Sequence, residues 1–99
     1  MNSMKLEIKS KALSDIEIIS DYIAKDNNKA ARKMITSFEK TFDLICKHPE
    51  IGRKRQDFID KNIRFYVIKK RYLIIYEITV DTIYILRVLT AYQDICSLL

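Results

Sequence analysis

The chain has 99 residues, 48% of them hydrophobic and ten of them aromatic, enough for one small two-layer core and too few for a second domain, so residues 1–99 are read as a single domain. That apolar content excludes a disordered chain, and a single glycine and a single proline exclude long irregular loops. The net charge of +5 admits an anionic partner without specifying one, and it is concentrated. Residues 47–71 carry nine of the eighteen Lys/Arg and three of the thirteen acids, together with the only proline and the only glycine.

Residues 4–9 alternate Met4, Leu6 and Ile8 with Lys5, Glu7 and Lys9, which predicts a strand with one face on a core. A helix follows from about Ala12 to Lys25, with Ser10 or Ser14 as N-cap and Ser14–Glu17 fitting a capping box. Its apolar stripe is Ala12, Leu13, Ile16, Ile19, Tyr22 and Ile23. Asp15, Glu17 and Asp21 line the other side, near the positive end of the helix dipole. Ile18 falls beside the stripe, either as extra packing or as a surface that a partner covers.

Asp26-Asn27-Asn28 breaks the helix. A second helix runs from about Lys29 to Lys47 on the stripe Ala30, Ala31, Met34, Ile35, Phe38, Phe42 and Ile45, and His48-Pro49 ends it. Ile63–Ile68, Tyr72–Ile78 and Thr82–Leu89 are rich in β-branched and aromatic residues and read as three strands of an antiparallel meander. Their links, Lys69-Lys70-Arg71 and Thr79-Val80-Asp81, lack the Asn-Gly or Asp-Gly turn signature. Residues 90–99 have no strong pattern. The expected fold class is α+β, an N-terminal strand and a two-helix hairpin packed on a small antiparallel β-sheet.

Catalytic constellations are mostly missing. Cys46 and Cys96 lack metal-ligand spacing, and the single His48 sits directly before a proline, where a helix-capping role suits it. No metal and no cofactor are expected. The N-terminus has no apolar signal core, and the apolar run Tyr72–Tyr76 is too short to span a bilayer. A cytoplasmic chain without membrane contact is expected. Arg64 and Arg87 lie inside apolar strands. Burying either unpaired is costly, so Arg87 should face solvent or pair with an acid such as Glu77. Tyr66, Tyr76 or Tyr84 on the same face as the arginines would make a surface for an anionic backbone; the competing reading is a solvated sheet face.

Several segments together resemble the RelE/ParE toxin superfamily. These are Ala12-Leu13-Ser14-Asp15-Ile16 through Asp21-Tyr22-Ile23-Ala24, Pro49-Glu50-Ile51-Gly52-Arg53, Ile63-Arg64, Arg71-Tyr72-Leu73-Ile74-Ile75-Tyr76 and Arg87-Val88-Leu89. The resemblance covers roughly residues 5–95 and implies the toxin of a bacterial type II toxin–antitoxin system. RelE-like members are metal-independent, ribosome-dependent mRNA endoribonucleases. On that reading Arg64, Arg87 and Tyr92, with the Arg53-Lys54-Arg55 cluster, would carry the chemistry. ParE-like members inhibit DNA gyrase by binding it.

The ParE branch is favoured because Leu73 stands where RelE-like enzymes place an arginine three residues before the strand tyrosine. Thr90 and Gln93 stand where many ParE-like chains have histidine and arginine, while Asp94 matches. These departures motivate a third reading, a basic binding module that has lost toxicity. The expected target- or anion-binding residues are Arg53, Lys54, Arg55, Lys69, Lys70 and Arg71. The resemblance also implies an antitoxin, acidic or apolar-helical, across the hairpin and sheet edge. Ile18, Ile95, Leu98 and Leu99 are its candidate contacts.

Overall fold

The computed structural model describes residues 4–54 and 62–90. Strand β1 (Lys5–Ile8) leads into helices α1 (Ser10–Ala24) and α2 (Asn28–Lys47), then a 3-10 turn (Pro49–Ile51). Strands β2 (Arg53–Lys54), β3 (Ile63–Ile68), β4 (Tyr72–Ile78) and β5 (Thr82–Thr90) come next. The sheet order is β1-β5-β4-β3-β2, with the expected meander β3-β4-β5 at its centre. The sheet is mixed rather than wholly antiparallel, because β1 pairs in parallel with β5, from Lys5↔Thr82 to Ile8↔Ile85. These strands lie at opposite ends of the chain, so the route of the helices, not a local turn, sets their direction.

Helix α1 starts earlier than its sequence predicts. The Lys9 amide donates to Ile85 O, closing the strand pairing, while Lys9 O accepts from Leu13 N to open the helix. Lys9 is therefore the N-cap and contributes no side-chain cap. The expected Ser10 or Ser14 cap does not form, and no acid occupies the first turn. Helix α2 has the expected device, Asn27 Oδ1 accepting from Ala30 N at 3.0 Å. At its other end His48 N donates to Leu44 O, and Pro49 prevents continuation.

Both sheet faces are buried. On the helix side, Met34, Phe38, Phe42 and Ile45 of α2 pack with Tyr72, Ile74, Tyr76, Ile83, Ile85 and Val88. Phe38 meets the Tyr72 ring edge-on at 5.7 Å between centroids. Ile63, Phe65, Leu73, Ile75 and Leu89 form a second buried cluster on the opposite face. The uninterrupted apolar run of β4 already carries this signal, since a strand buried on both faces does not alternate. Within α1 only Ala12 is fully buried. Leu13 and Tyr22, expected in the core stripe, are 52% and 67% exposed. Met4, just before β1, and Ile8 within it reach the core while Leu6 stays exposed at the sheet edge.

The β4–β5 pairing shifts register between Ile75 and Tyr76. Ile75 pairs with Arg87 and Tyr76 with Ile85, so Leu86 is an extra residue in β5. Such a bulge bends the strand and re-aims its neighbours. It lets Ile85 and Val88 both serve the helix-side core and turns Arg87 toward α1.

Candidate functional site

The two strand arginines occupy separate, internally bonded sites. Arg64 pairs in register with Tyr76 on the helix side of the sheet. Tyr76 is fully buried, and its hydroxyl donates to Pro49 O at 2.5 Å and accepts from Gly52 N at 2.9 Å. Arg64 Nη1 donates to Gly52 O at 2.9 Å and to Glu50 O at 3.3 Å. Together these side chains fasten the turn at 49–52 to the sheet. Gly52 is required there for space: a Cβ would lie 2.5 Å from Tyr76 Oη and 2.8 Å from Cε1. Burial pushes the Tyr76 hydroxyl above its ordinary pKa, with the Gly52 amide and the Arg64 charge partly opposing.

Arg87 forms the second site. Its Nε donates to Asp15 Oδ2 at 2.8 Å and its Nη2 to Asp15 Oδ1 at 3.0 Å. Asp15 Oδ2 also accepts from Val88 N at 2.9 Å, on the edge of β5 beyond the end of β1. The side chains are 18% and 12% exposed, so water screens the pair little. The Asp15 hydrogen bonds hold Arg87 above its already high ordinary pKa. This corrects two expectations. Asp15 faces the sheet rather than the solvent side of α1, and Arg87 finds its acid there rather than at Glu77. Glu77 instead lies opposite Tyr84, in β5.

Of the three tyrosines expected beside the arginines, Tyr66 and Tyr76 share the helix side of the sheet with Arg64, where Tyr76 is buried and Tyr66 packs against the helix-side core, while Tyr84 lies with Glu77 on the other face. The third nuclease candidate, Tyr92, lies outside the described residues. Near Arg64 is an open cleft of about 620 Å³ whose walls include His48, Glu50, Asn62 and Thr79. Arg64 Nε is buried there without a hydrogen-bond partner among the described residues. Leu73 is buried in the second cluster, paired with Leu89. The Cys46 thiol is buried, and desolvation, then the Asp43 charge, push its pKa up, so it is a poor nucleophile. Among the described residues no group of His, Cys, Asp and Glu is placed to hold a metal ion. No helix there is long and apolar enough to cross a membrane.

The basic stretch divides. Arg53 and Lys54 are exposed on β2, opposite Phe65 and Arg64. Lys69, Lys70 and Arg71 are exposed at the β3–β4 turn, four residues beyond Phe65 and hence ~13 Å along the strand. Arg55 lies outside the described residues. At the turn, Lys69 meets a neighbour not expected from the sequence, the cationic face of α2 formed by Lys29, Arg32, Lys33 and Lys40. The i, i+3, i+4, i+11 spacing of those cations is the signal that could have found it. Of the antitoxin candidates, Ile18 is 65% exposed and one turn from the exposed Tyr22. Ile95, Leu98 and Leu99 lie outside the described residues.

Residues 6–95 match the family described as ParE toxin of type II toxin-antitoxin system, parDE. The chain belongs to this family. A solved structure described as the chromosomal ParDE TA system from P. aeruginosa is similar in fold to this ParE-family chain. The TM-score is 0.72 at 19% identity, covering 89% of this chain and 96% of that one. A comparison with curated protein sequences gives no match.

Proposed function

We propose that this ParE-family toxin acts by binding DNA gyrase, without nuclease chemistry of its own, and is neutralised by a cognate antitoxin. One observation carries the reading: both strand arginines that a nuclease would need are committed to internal partners. Arg64 holds the 49–52 turn and Arg87 holds Asp15. Their strands are separated by β4, about 10 Å apart in the sheet. Leu73 supports it further, since an arginine there would enter an apolar cluster.

The exposed pair Arg53 and Lys54 is our candidate for target contact. The patch of Ile18 and Tyr22 on α1 is our candidate for antitoxin docking, as an apolar helix face left uncovered by the described residues. The test uses purified toxin freed of its antitoxin. Inhibition of gyrase supercoiling at micromolar concentration, with mRNA intact on translating ribosomes, is expected. Ribosome-dependent mRNA cuts that disappear in Arg64→Ala would replace this proposal with the RelE-like one. A chain that arrests growth by neither route would point to some other target.

A further inference from the structure

We infer that the outward face of α2, together with the tip of the β3–β4 hairpin, is a binding surface for the phosphate backbone of duplex DNA. Lys29, Arg32, Lys33 and Lys40 project from one side of α2, opposite the core residues Ala31, Met34, Phe38 and Phe42. Lys69 closes the other wall, giving a groove of about 550 Å³. The rest of its lining is Thr36 and Ser37, with no carboxylate and no apolar side chain among the described residues. None of the five cations is in an ion pair among the described residues. Five like charges that share a groove without an ion-pair partner repel one another, and a polyanion relieves that repulsion.

The chemistry of the lining selects among polyanions. An acidic protein segment ordinarily seats apolar or aromatic anchors, and lysine is depleted from such interfaces. Protein–DNA interfaces are more polar and far more positive. The groove also lacks an aromatic platform of the kind that holds single strands. From Lys29 to Lys40 the row runs ~16 Å along the helix, comparable to about five phosphates of one B-DNA strand. B-form DNA admits a helix into its major groove, whereas the major groove of A-form RNA is too narrow and deep for side chains to read.

The hairpin supplies an independent sign. Lys69 and Lys70 both have positive φ, 54° and 55°, in a turn closed by Arg71 N donating to Ile68 O. Lysine is a poor choice for that conformation, where asparagine and glycine are relaxed. Strain retained at a tip that delivers a cation to the groove is the pattern of a functional position. This inference does not depend on gyrase being the target.

The experiment is fluorescence anisotropy of a labelled duplex of about 30 base pairs with the purified toxin at salt from about 50 to 300 mM. Five contacts predict a slope of log K against log salt of about −4 to −5. Lys33→Ala and Lys40→Ala should each weaken binding several-fold at about 100 mM salt and reduce the slope by about 1. Lys5→Ala, an equal change of charge on the exposed β1, should alter neither. No binding at the lowest salt would overturn the inference, as would equal loss in Lys5→Ala. Tighter binding of polyglutamate, single-stranded DNA or duplex RNA than of duplex DNA would also overturn it.

Discussion

Tyr76 concentrates the residue-scale logic of the molecule. It is a polar side chain with no exposed surface, tolerated because its hydroxyl has both a donor and an acceptor partner in the 49–52 turn. Tyr76→Phe leaves the Gly52 amide and Pro49 carbonyl without that partner, at a cost of about 1–3 kcal/mol near neutral pH. The pH dependence has a definite sign. The folded-state pKa lies above the ordinary 10.0, so the contribution is complete below pH 10. It is lost as pH rises from 10.0 through the folded value, because the unfolded tyrosine ionises first. Urea denaturation at about pH 7, 9 and 11 should show the wild-type advantage over Tyr76→Phe shrinking only at the highest pH.

Asp15 gives a second residue-scale prediction. Asp15→Ala strands the Arg87 guanidinium and removes the acceptor of Val88 N, costing about 2–3 kcal/mol in thermal or urea unfolding. A change below about 0.5 kcal/mol would show the pair to be surface-like. Segments that carry the family resemblance thus serve largely as fasteners here. Pro49 to Gly52 is tied to Arg64 and Tyr76, and Asp15 is tied to Arg87.

At the scale of elements, the β3–β4 hairpin is the place where local preference is overridden. Left-handed backbone at a residue with a Cβ costs ~1–2 kcal/mol, and two lysines adopt it in succession. The double variant Lys69→Asn/Lys70→Gly should stabilise the fold by about 1–2 kcal/mol, read as a rise in Tm. Binding to duplex DNA should weaken in the same protein, as the groove loses Lys69. Stability and binding moving in opposite directions would separate a functional strain from an accidental one. Helix α1 is the other element at odds with its own pattern. It has more apolar positions than the sheet and α2 cover, which leaves Leu13, Ile18 and Tyr22 outside.

For the whole molecule, that excess apolar surface and the cationic groove are two faces that the described residues leave without partners. Ile18→Glu or Tyr22→Glu should change stability by less than about 0.5 kcal/mol, since both side chains are two-thirds exposed. The same substitutions should reduce affinity for the cognate antitoxin at least about ten-fold in calorimetry. Unchanged affinity would move the antitoxin off α1. The described cations of the basic stretch that dominates the sequence include two exposed groups, Arg53–Lys54 and Lys69–Arg71, set ~13 Å apart along the strand. One of them joins cations of α2 that lie far earlier in the chain.

Periodicity and chain breakers are enough to read the two helices and the three-stranded meander from residues alone, while the cap signal holds for α2 and fails for α1. Those signals are local, and the core stripe of α2 and the bounds of β3 and β4 obey them. The parallel β1–β5 pair, the two-residue β2 and the bulge at Leu86 are not legible there. Each depends on which distant strand lies alongside, a choice that local spacing does not encode. The same reason governs the site. Residue types single out Arg64 and Arg87 as too costly to leave unpaired in apolar strands. Only the tertiary arrangement decides that a turn's carbonyls and the carboxylate of Asp15 satisfy them, because hydrogen-bond partners are chosen by proximity in space, not along the chain.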